Sequence, residues 1–417
     1  MNSGNKLLSV LNEAGVMIRK NNDGSFFSRK GIRCLVKVLS NVKDFRKKGM
    51  ITYNLENLLA ICLYISAKGE LTSFLNIEDY VNVYRSKFRR LGLIGKDIPS
   101  HDTFRRLFMY LDADSLRDAI LGKLKYFLSH FVKEDDKAKR LVILDGKEFN
   151  GSGRTIDGQN HGNINVMNIY DQSMGLMISS TTLPDKQSEI PEAQRLLRKL
   201  NLKKSVVSAD ALHCQKKTCE IVVNKKGEYV FPVKDNQRGL RQEIESCFSS
   251  NKYPVIKADT DELEVSVMIL PKSYAGEEWP GQKSYTRMVS HKRDAHKEST
   301  PTVMYFISNS KDPELIAEVV DTRWDLEDGP HKFKDEFLNE DECSFADENA
   351  VKVMAIINDI IFGMYKLASS LDNDTLHRTK IRYKEDPIKL FRRIYPFLEG
   401  NDVAMLIRNA KKRKKRH

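Results

Sequence analysis

The hydrophobic pattern changes style once along the chain. Up to about residue 135, apolar positions recur at helical spacing, as in GIRCLVKVL (31–39) and NLENLLAICLYISA (54–67). IEDYVNVYRSKFRRLGL (77–93) continues the pattern, and after a Gly/Pro-containing break comes SHDTFRRLFMYL (100–111), with Ser100 placed to cap it. The two segments predict either a helix-turn-helix with Arg105 and Arg106 on its second helix, or an ordinary helical hairpin with a solvated basic face. Beyond about residue 138, short apolar runs predict strands: KRLVILDG (139–146), a hairpin of INVMNIYD (164–171) and GLMISSTTL (175–183), SVVSAD (205–210) and EYVFPVK (228–234). EIPEAQRLLRKL (189–200) and QKKTCEIVVNKKG (215–227) read as helices between them. Pro232 predicts that the last of these strands is an edge.

The order strand, strand, strand, helix, strand, helix, strand is that of a ribonuclease-H-like mixed sheet with flanking helices, an α/β (α+β) class. It places Asp145 on the first strand and Asp210 at the end of the fourth, and these strands are neighbours in that fold. EVSVMIL (264–270), YTRMVSH (285–291) and TVMYFIS (302–308) predict a β-rich insertion over 251–312. PELIAEVVDTRWDLED (313–328) returns to helix, and NAVKVMAIINDIIFGMYKLA (349–368) reads as a buried helix. The expected organisation is a helical domain over 1–135 and an α/β core over 136–250 and 313–370. The insertion interrupts the core, and a helical C-terminal region, 371–417, closes the chain.

Charge adds a partner to this picture. The 417 residues hold 69 Lys and Arg against 57 Asp and Glu, a net charge of +12 that favours a polyanion. Six basic residues lie in the tail KKRKKRH (411–417), which reads either as a solubilising segment or as a non-specific phosphate contact. Six scattered cysteines show no disulfide framework, as expected of a reducing compartment, and His213, Cys214 and Cys219 lack the paired spacing of a zinc site. The longest apolar run, LLAICLYISA (58–67), is too short to span a bilayer, and the N-terminus lacks the apolar core of a signal peptide. The expectation is a soluble intracellular protein.

Three carboxylates carry the candidate chemistry. Asp145 ends the run LVILD, Asp210 ends SVVSAD, and Glu327 lies in the helical stretch DTRWDLED. Two acids at strand ends and a third on a later helix suit a pair of Mg²⁺ or Mn²⁺ ions, with positions left open for water and a phosphodiester. The alternative is that each aspartate merely caps the turn after its strand. Arg323 precedes Glu327 by four residues and Lys334 follows it by seven, so cations flank the acid. They suit a polyanion at the site, or else form a surface ion pair of little worth.

Arg323, three residues, Glu327, six residues and Lys334 match part of the signature of the IS4-type DDE transposases. More closely, the chain resembles the ISAs1 (H-repeat-associated) family of insertion-sequence transposases. The resembling segments run in order over nearly the whole chain. They are NVKDFRKKGMITYNLENLLA (41–60), PSHDTFRRLF (99–108), VILDGKEFNGS (142–152), DKQSEIPEAQRLL (185–197), VSADALHCQKK (207–217), YVFPVKDNQ (229–237), WPGQKS (279–284) and RWDLEDGPHKFKDEFLNED (323–341). The resemblance implies a ribonuclease-H-like domain that cuts and joins DNA, with Asp145, Asp210 and Glu327 as the metal-binding catalytic acids. It also implies duplex DNA partners, namely terminal inverted repeats and target DNA, and a homodimer on DNA. Arg323, Lys334, His331, Lys147, Lys234, Gln237, Arg105 and Arg106 are the expected DNA contacts, and the bacterial cytoplasm and nucleoid the expected location. Three features depart from the family: Val320 replaces a tyrosine, Gly329–Pro330 interrupts the glutamate helix, and ELEVSVMIL (262–270) replaces a basic stretch. A domesticated DNA-binding protein and a nuclease of the same fold are the alternative readings.

Overall fold

The computed structural model describes residues 28–131, 139–156, 159–183, 188–260, 263–274, 278–290, 301–322 and 327–398. Six helices come first: α1 (Ser28–Leu39), α2 (Leu55–Ser66), α3 (Phe74–Val83), α4 (Arg85–Leu91), α5 (His101–Tyr110) and α6 (Ala113–Phe131). The Ser100 hydroxyl accepts from the Thr103 N–H and so caps α5, satisfying one of the N–H groups a helix leaves unpaired at its start.

The sheet follows. Its strands are β1 (Arg140–Phe149), β4 (Ile164–Asp171), β5 (Leu176–Leu183), β6 (Ser205–Ala209), β7 (Glu228–Val233), β8 (Val255–Lys257), β9 (Leu263–Ile269), β10 (Ser284–Ser290) and β11 (Thr302–Ser308). A separate small pair, β2 (Arg154–Ile156) and β3 (Gln159–His161), lies outside it. The order across the nine strands is β5-β4-β1-β6-β7-β11-β10-β9-β8. β4 is antiparallel to both β1 and β5, while β1, β6 and β7 are mutually parallel. The first five positions are therefore a ribonuclease-H-like mixed sheet. The insertion strands continue that sheet, because β11 pairs antiparallel with β7.

This last pairing corrects one expectation: β7 is interior, with β6 on one side and β11 on the other. Proline is tolerated because the β6–β7 pairing ends at Val230, two residues short of Pro232, so no ladder hydrogen bond is demanded from its nitrogen on that side.

Strand alternation sends side chains to two different cores. Val142 and Leu144 face a layer that includes Ala193 and Leu197 of α7 (Glu189–Lys199), Val222 of α8 (Lys216–Asn224) and Ile244 of α9 (Arg238–Ser249). Leu141, Ile143 and Phe149 face the opposite layer. That layer holds α10 (Pro313–Thr322), α11 (Lys332–Leu338), α12 (Glu348–Asp372), α13 (Leu376–Lys384) and α14 (Pro387–Leu398). α12 is buried along most of its length, capped by Asp347 at one end and by left-handed Asn373 at the other. The N-terminal helices pack into the same core: Asn349 of α12 donates to the carbonyls of Phe108 and Leu111, and the Tyr365 hydroxyl donates to that of Ala67. Among the described residues no helix is long and apolar enough to cross a membrane.

Candidate active site

The β1–β6 ladder pairs Leu144 with Ala209, so Asp145 and Asp210 stand one residue further on, at adjacent positions of neighbouring parallel strands. Strands in a sheet lie about 4.8 Å apart, and paired residues share a face. Both carboxylates are partly open, Asp145 with 28% and Asp210 with 50% of its side chain exposed. Asp145 lies within β1 and not at its end as the sequence suggested, because β1 runs on to Phe149 paired with β4. The two hard-oxygen donors stand side by side where the β1–β6 pairing stops, which fits the demands of a divalent ion.

Each acid is held by its surroundings. Asp210 accepts from the Ala211 N–H at 2.6 Å, capping a 3₁₀ turn over Ala211–His213. Lys234 lies 3.5 Å from Asp210, on the turn that follows β7. Asn236 donates to the Ala211 carbonyl and Gln237 to that of Cys214, so these two turns are fastened together. Gln237 thus serves the backbone of this loop, while Lys234 is exposed.

Asp145 meets His331, whose Nδ1 is 3.3 Å from Oδ2. Burial, then the ammonium groups of Lys334 and Lys147, push the His331 pKa down to about 3 against the opposing pull of Glu340. Burial favours the neutral imidazole, whose Nδ1–H tautomer is the one that can donate to Asp145 at this contact. His331 closes a π-helical turn, Glu327–His331, that contains Pro330. A π turn widens the backbone where proline supplies no N–H, and it adds residues relative to an α-helix. Glu327 opens this turn; its side chain and the whole of Arg323 lie outside the described residues, as does the tail 411–417.

Two sequence expectations are corrected here. Lys334 and Lys147 are buried, so neither presents its ammonium to DNA. Lys334 bonds Asp359 at 2.9 Å and lies 3.5 Å from Glu340; Lys147 bonds Glu340 at 2.8 Å and pairs also with Asp335. Glu340 is held by Asn358 as well, and Asn358 accepts from Ser66 of α2. The π turn brings Lys334 inward, because the added residue rotates α11 relative to an uninterrupted helix. His331 is also largely enclosed, with 12% of its side chain exposed. Arg105 and Arg106 are exposed on α5, both near Asp102.

Sequence reasoning missed Glu189. Its carboxylate meets buried His213 at 3.2 Å and packs on Gly146, where any Cβ would come within 2.9 Å of its Oε1. Glycine after Asp145 lets the Glu189 carboxylate lie close against the strand backbone. A buried histidine in the apolar stretch ALHC was the available signal.

The fold and its paired acids define a ribonuclease-H-like α/β protein with two aspartates side by side on neighbouring parallel strands. Residues 136–361 match the Transposase DDE domain family and residues 36–122 the DDE_Tnp_1-associated family. The chain belongs to the DDE transposase family. It is 26% identical over 379 residues to the "H repeat-associated putative transposase YhhI" of Escherichia coli, covering 85% of this chain and 94% of that one. It is 24% identical over 376 residues to "Putative protein YbfL" of the same organism, again covering 85% and 94%. Among solved structures it is similar to the piggyBac transposase in a synaptic complex with hairpin DNA, at 12% identity and a TM-score of 0.43, covering 94% of this chain and 83% of that one. Family and relatives accord with the resemblance drawn from the sequence.

Proposed function

We propose that this transposase binds the ends of an insertion sequence and catalyses metal-dependent DNA strand cleavage and strand transfer in the bacterial cytoplasm. The observation that carries this reading is the adjacency of Asp145 and Asp210 on neighbouring parallel strands, within a chain of the DDE family.

Asp145 and Asp210 would hold Mg²⁺ or Mn²⁺, with Glu327 as the third acid. A pair of such ions supplies Lewis-acid chemistry for in-line displacement at a phosphodiester. His331 fixes the Asp145 carboxylate with a neutral N–H and so leaves its negative charge available. Lys234 offsets the charge of Asp210 and stands exposed where a DNA phosphate would approach. Gln237 and Asn236 hold the loop that carries Asp210. Strand hydrolysis yields a 3′-hydroxyl; attack of that hydroxyl on a target phosphodiester forms the new bond and releases a 3′-hydroxyl of the target strand. Synapsis of two ends calls for two copies of the chain on DNA.

The test is cleavage of a duplex carrying the element's terminal repeats, with Mg²⁺ or Mn²⁺ and with excess chelator. Asp145→Asn is expected to abolish cleavage and leave DNA binding in place. Undiminished cleavage by that variant, or full activity in chelator, would overturn the reading.

A further inference from the structure

A polar row crosses the sheet through Asp145. The β1–β4 register sets Asp145 opposite Asn168, and the β4–β5 register sets Asn168 opposite Ser180. With Asp210 beside Asp145, four strands place Ser180, Asn168, Asp145 and Asp210 side by side. The row faces the layer of α11 and α12, because Val166 and Tyr170, two residues either side of Asn168, belong to that core. Three members have partners: Ser180 donates to Asp359, His331 meets Asp145, and Lys234 lies by Asp210.

Asn168 has none among the described residues. It is 1% exposed, and both its Nδ2 and its Oδ1 lack a hydrogen-bond partner. A buried carboxamide offers two donors and an acceptor oxygen, and leaving them unmade is unfavourable. Directly opposed residues of an antiparallel pair have Cβ atoms about 4.5–5.5 Å apart, so this amide is within one water or one ion of the Asp145 carboxylate. The Nε2 of His331, on the other side of Asp145, is likewise buried without a partner among the described residues.

We infer that Asn168 belongs to the metal site, its carboxamide serving the divalent ion held at Asp145 directly or through that ion's water. This rests on the metal-dependent reading above. Asparagine suits the place because its oxygen adds a hard donor without a further negative charge beside two aspartates. The same amide's N–H can fix the orientation of a bound water.

The test uses the full chain and Mn²⁺ alone, titrated calorimetrically, together with urea unfolding in chelator. Asn168→Leu is expected to bind Mn²⁺ about 10–100-fold more weakly. In chelator it should be no less stable than the parent, since an apolar side chain replaces an unpartnered amide. Asn168→Asp should keep Mn²⁺ affinity, because it keeps an oxygen donor, and lose stability in chelator. Should the leucine variant not fold, Asn168→Ala carries the same expectation for Mn²⁺. Parental Mn²⁺ affinity in the leucine or alanine variant would overturn the inference, leaving a merely structural amide. Asp145→Asn separates the two claims. If it leaves Mn²⁺ binding intact, the metal-site reading fails; if it abolishes binding while Asn168→Leu does not, only the role of Asn168 fails.

Discussion

His331 reaches Asp145 from one turn beyond Glu327, and burial keeps its imidazole neutral while it does so. On β1, Asp145 and Lys147 point to the same face; on the helix, their partners His331 and Asp335 are four residues apart. The two contacts form a ladder that sets the register of the glutamate-bearing segment against the first strand. His331→Ala should lower DNA cleavage by about 10–100-fold, as loss of a partner that orients a metal ligand does. Binding to DNA without metal should be unchanged, and the parental pH–rate profile should show no step from this group between about pH 5 and 8. A cleavage rate equal to the parent's would remove His331 from the site.

Lys334 tests burial against the spacing argument. Its ammonium bridges Asp359 and Glu340 in the interior, and its pKa is driven up by those anions although burial opposes them. Lys334→Ala leaves both acids without this partner and should cost about 3–5 kcal/mol in urea unfolding. If the lysine were a DNA contact, the same substitution would weaken DNA binding and leave stability nearly untouched.

These two residues show where the sequence was legible. Strand order followed from short apolar runs, because a sheet covered on both faces writes burial directly into composition. The adjacency of Asp145 and Asp210 was legible because each ends such a run and the two runs pair in parallel. Lys334 was misread because spacing from Glu327 assumes an unbroken helix, and the π turn at Pro330 changes the face presented. Lys147 was misread for another reason: its partners Asp335 and Glu340 lie 188 and 193 residues away, beyond the reach of any local pattern. Asn168 left one faint sign, an amide between Met167 and Ile169 at the centre of the apolar strand INVMNIYD, whose other amide, Asn165, lies near the strand's start.

Gly69 joins the N-terminal helices to the end of α11. Its φ is +77°, and a Cβ there would collide with the Phe337 carbonyl oxygen. Asn339 also donates to the Gly69 carbonyl at 2.9 Å. Gly69→Ala combines backbone strain with a clash against main chain, so it should destabilise the fold by more than about 1 kcal/mol. An unchanged unfolding midpoint in urea would contradict this docking geometry.

Asp372 predicts a response to acid. At the end of α12 it receives Arg393 at 2.7 Å, Arg382 at 2.8 Å and the Tyr383 hydroxyl at 2.6 Å. Burial alone would push its carboxyl up, but these partners hold it below the ordinary 3.8. A depressed folded-state pKa contributes stability above the unfolded value, and that stability is lost as pH falls through the folded one. Asp372→Asn should therefore cost about 1.5–3 kcal/mol at neutral pH, the worth of a hydrogen bond to a charged group. The difference from the parent should shrink below about pH 4. A difference constant from neutrality to acid would show that the clamp is not ionic.

The last prediction separates affinity from sequence preference. Arg105 and Arg106 sit on α5, about 50% and 70% exposed, with Asp102 as their common partner. A rigid capped helix can present arginines to base edges in a fixed geometry, whereas a run such as KKRKKRH has only charge to offer. Arg105→Ala with Arg106→Ala should weaken binding to terminal-repeat DNA more than to random duplex. Deleting 411–417 should weaken both by similar factors. It should also flatten the dependence of log K on log salt, by up to about 0.9 for each phosphate that the tail no longer neutralises. Competition binding at two or more salt concentrations measures both quantities. If tail deletion erased preference for the repeats while the arginine variants kept it, the reading surface would lie in the tail and not on α5.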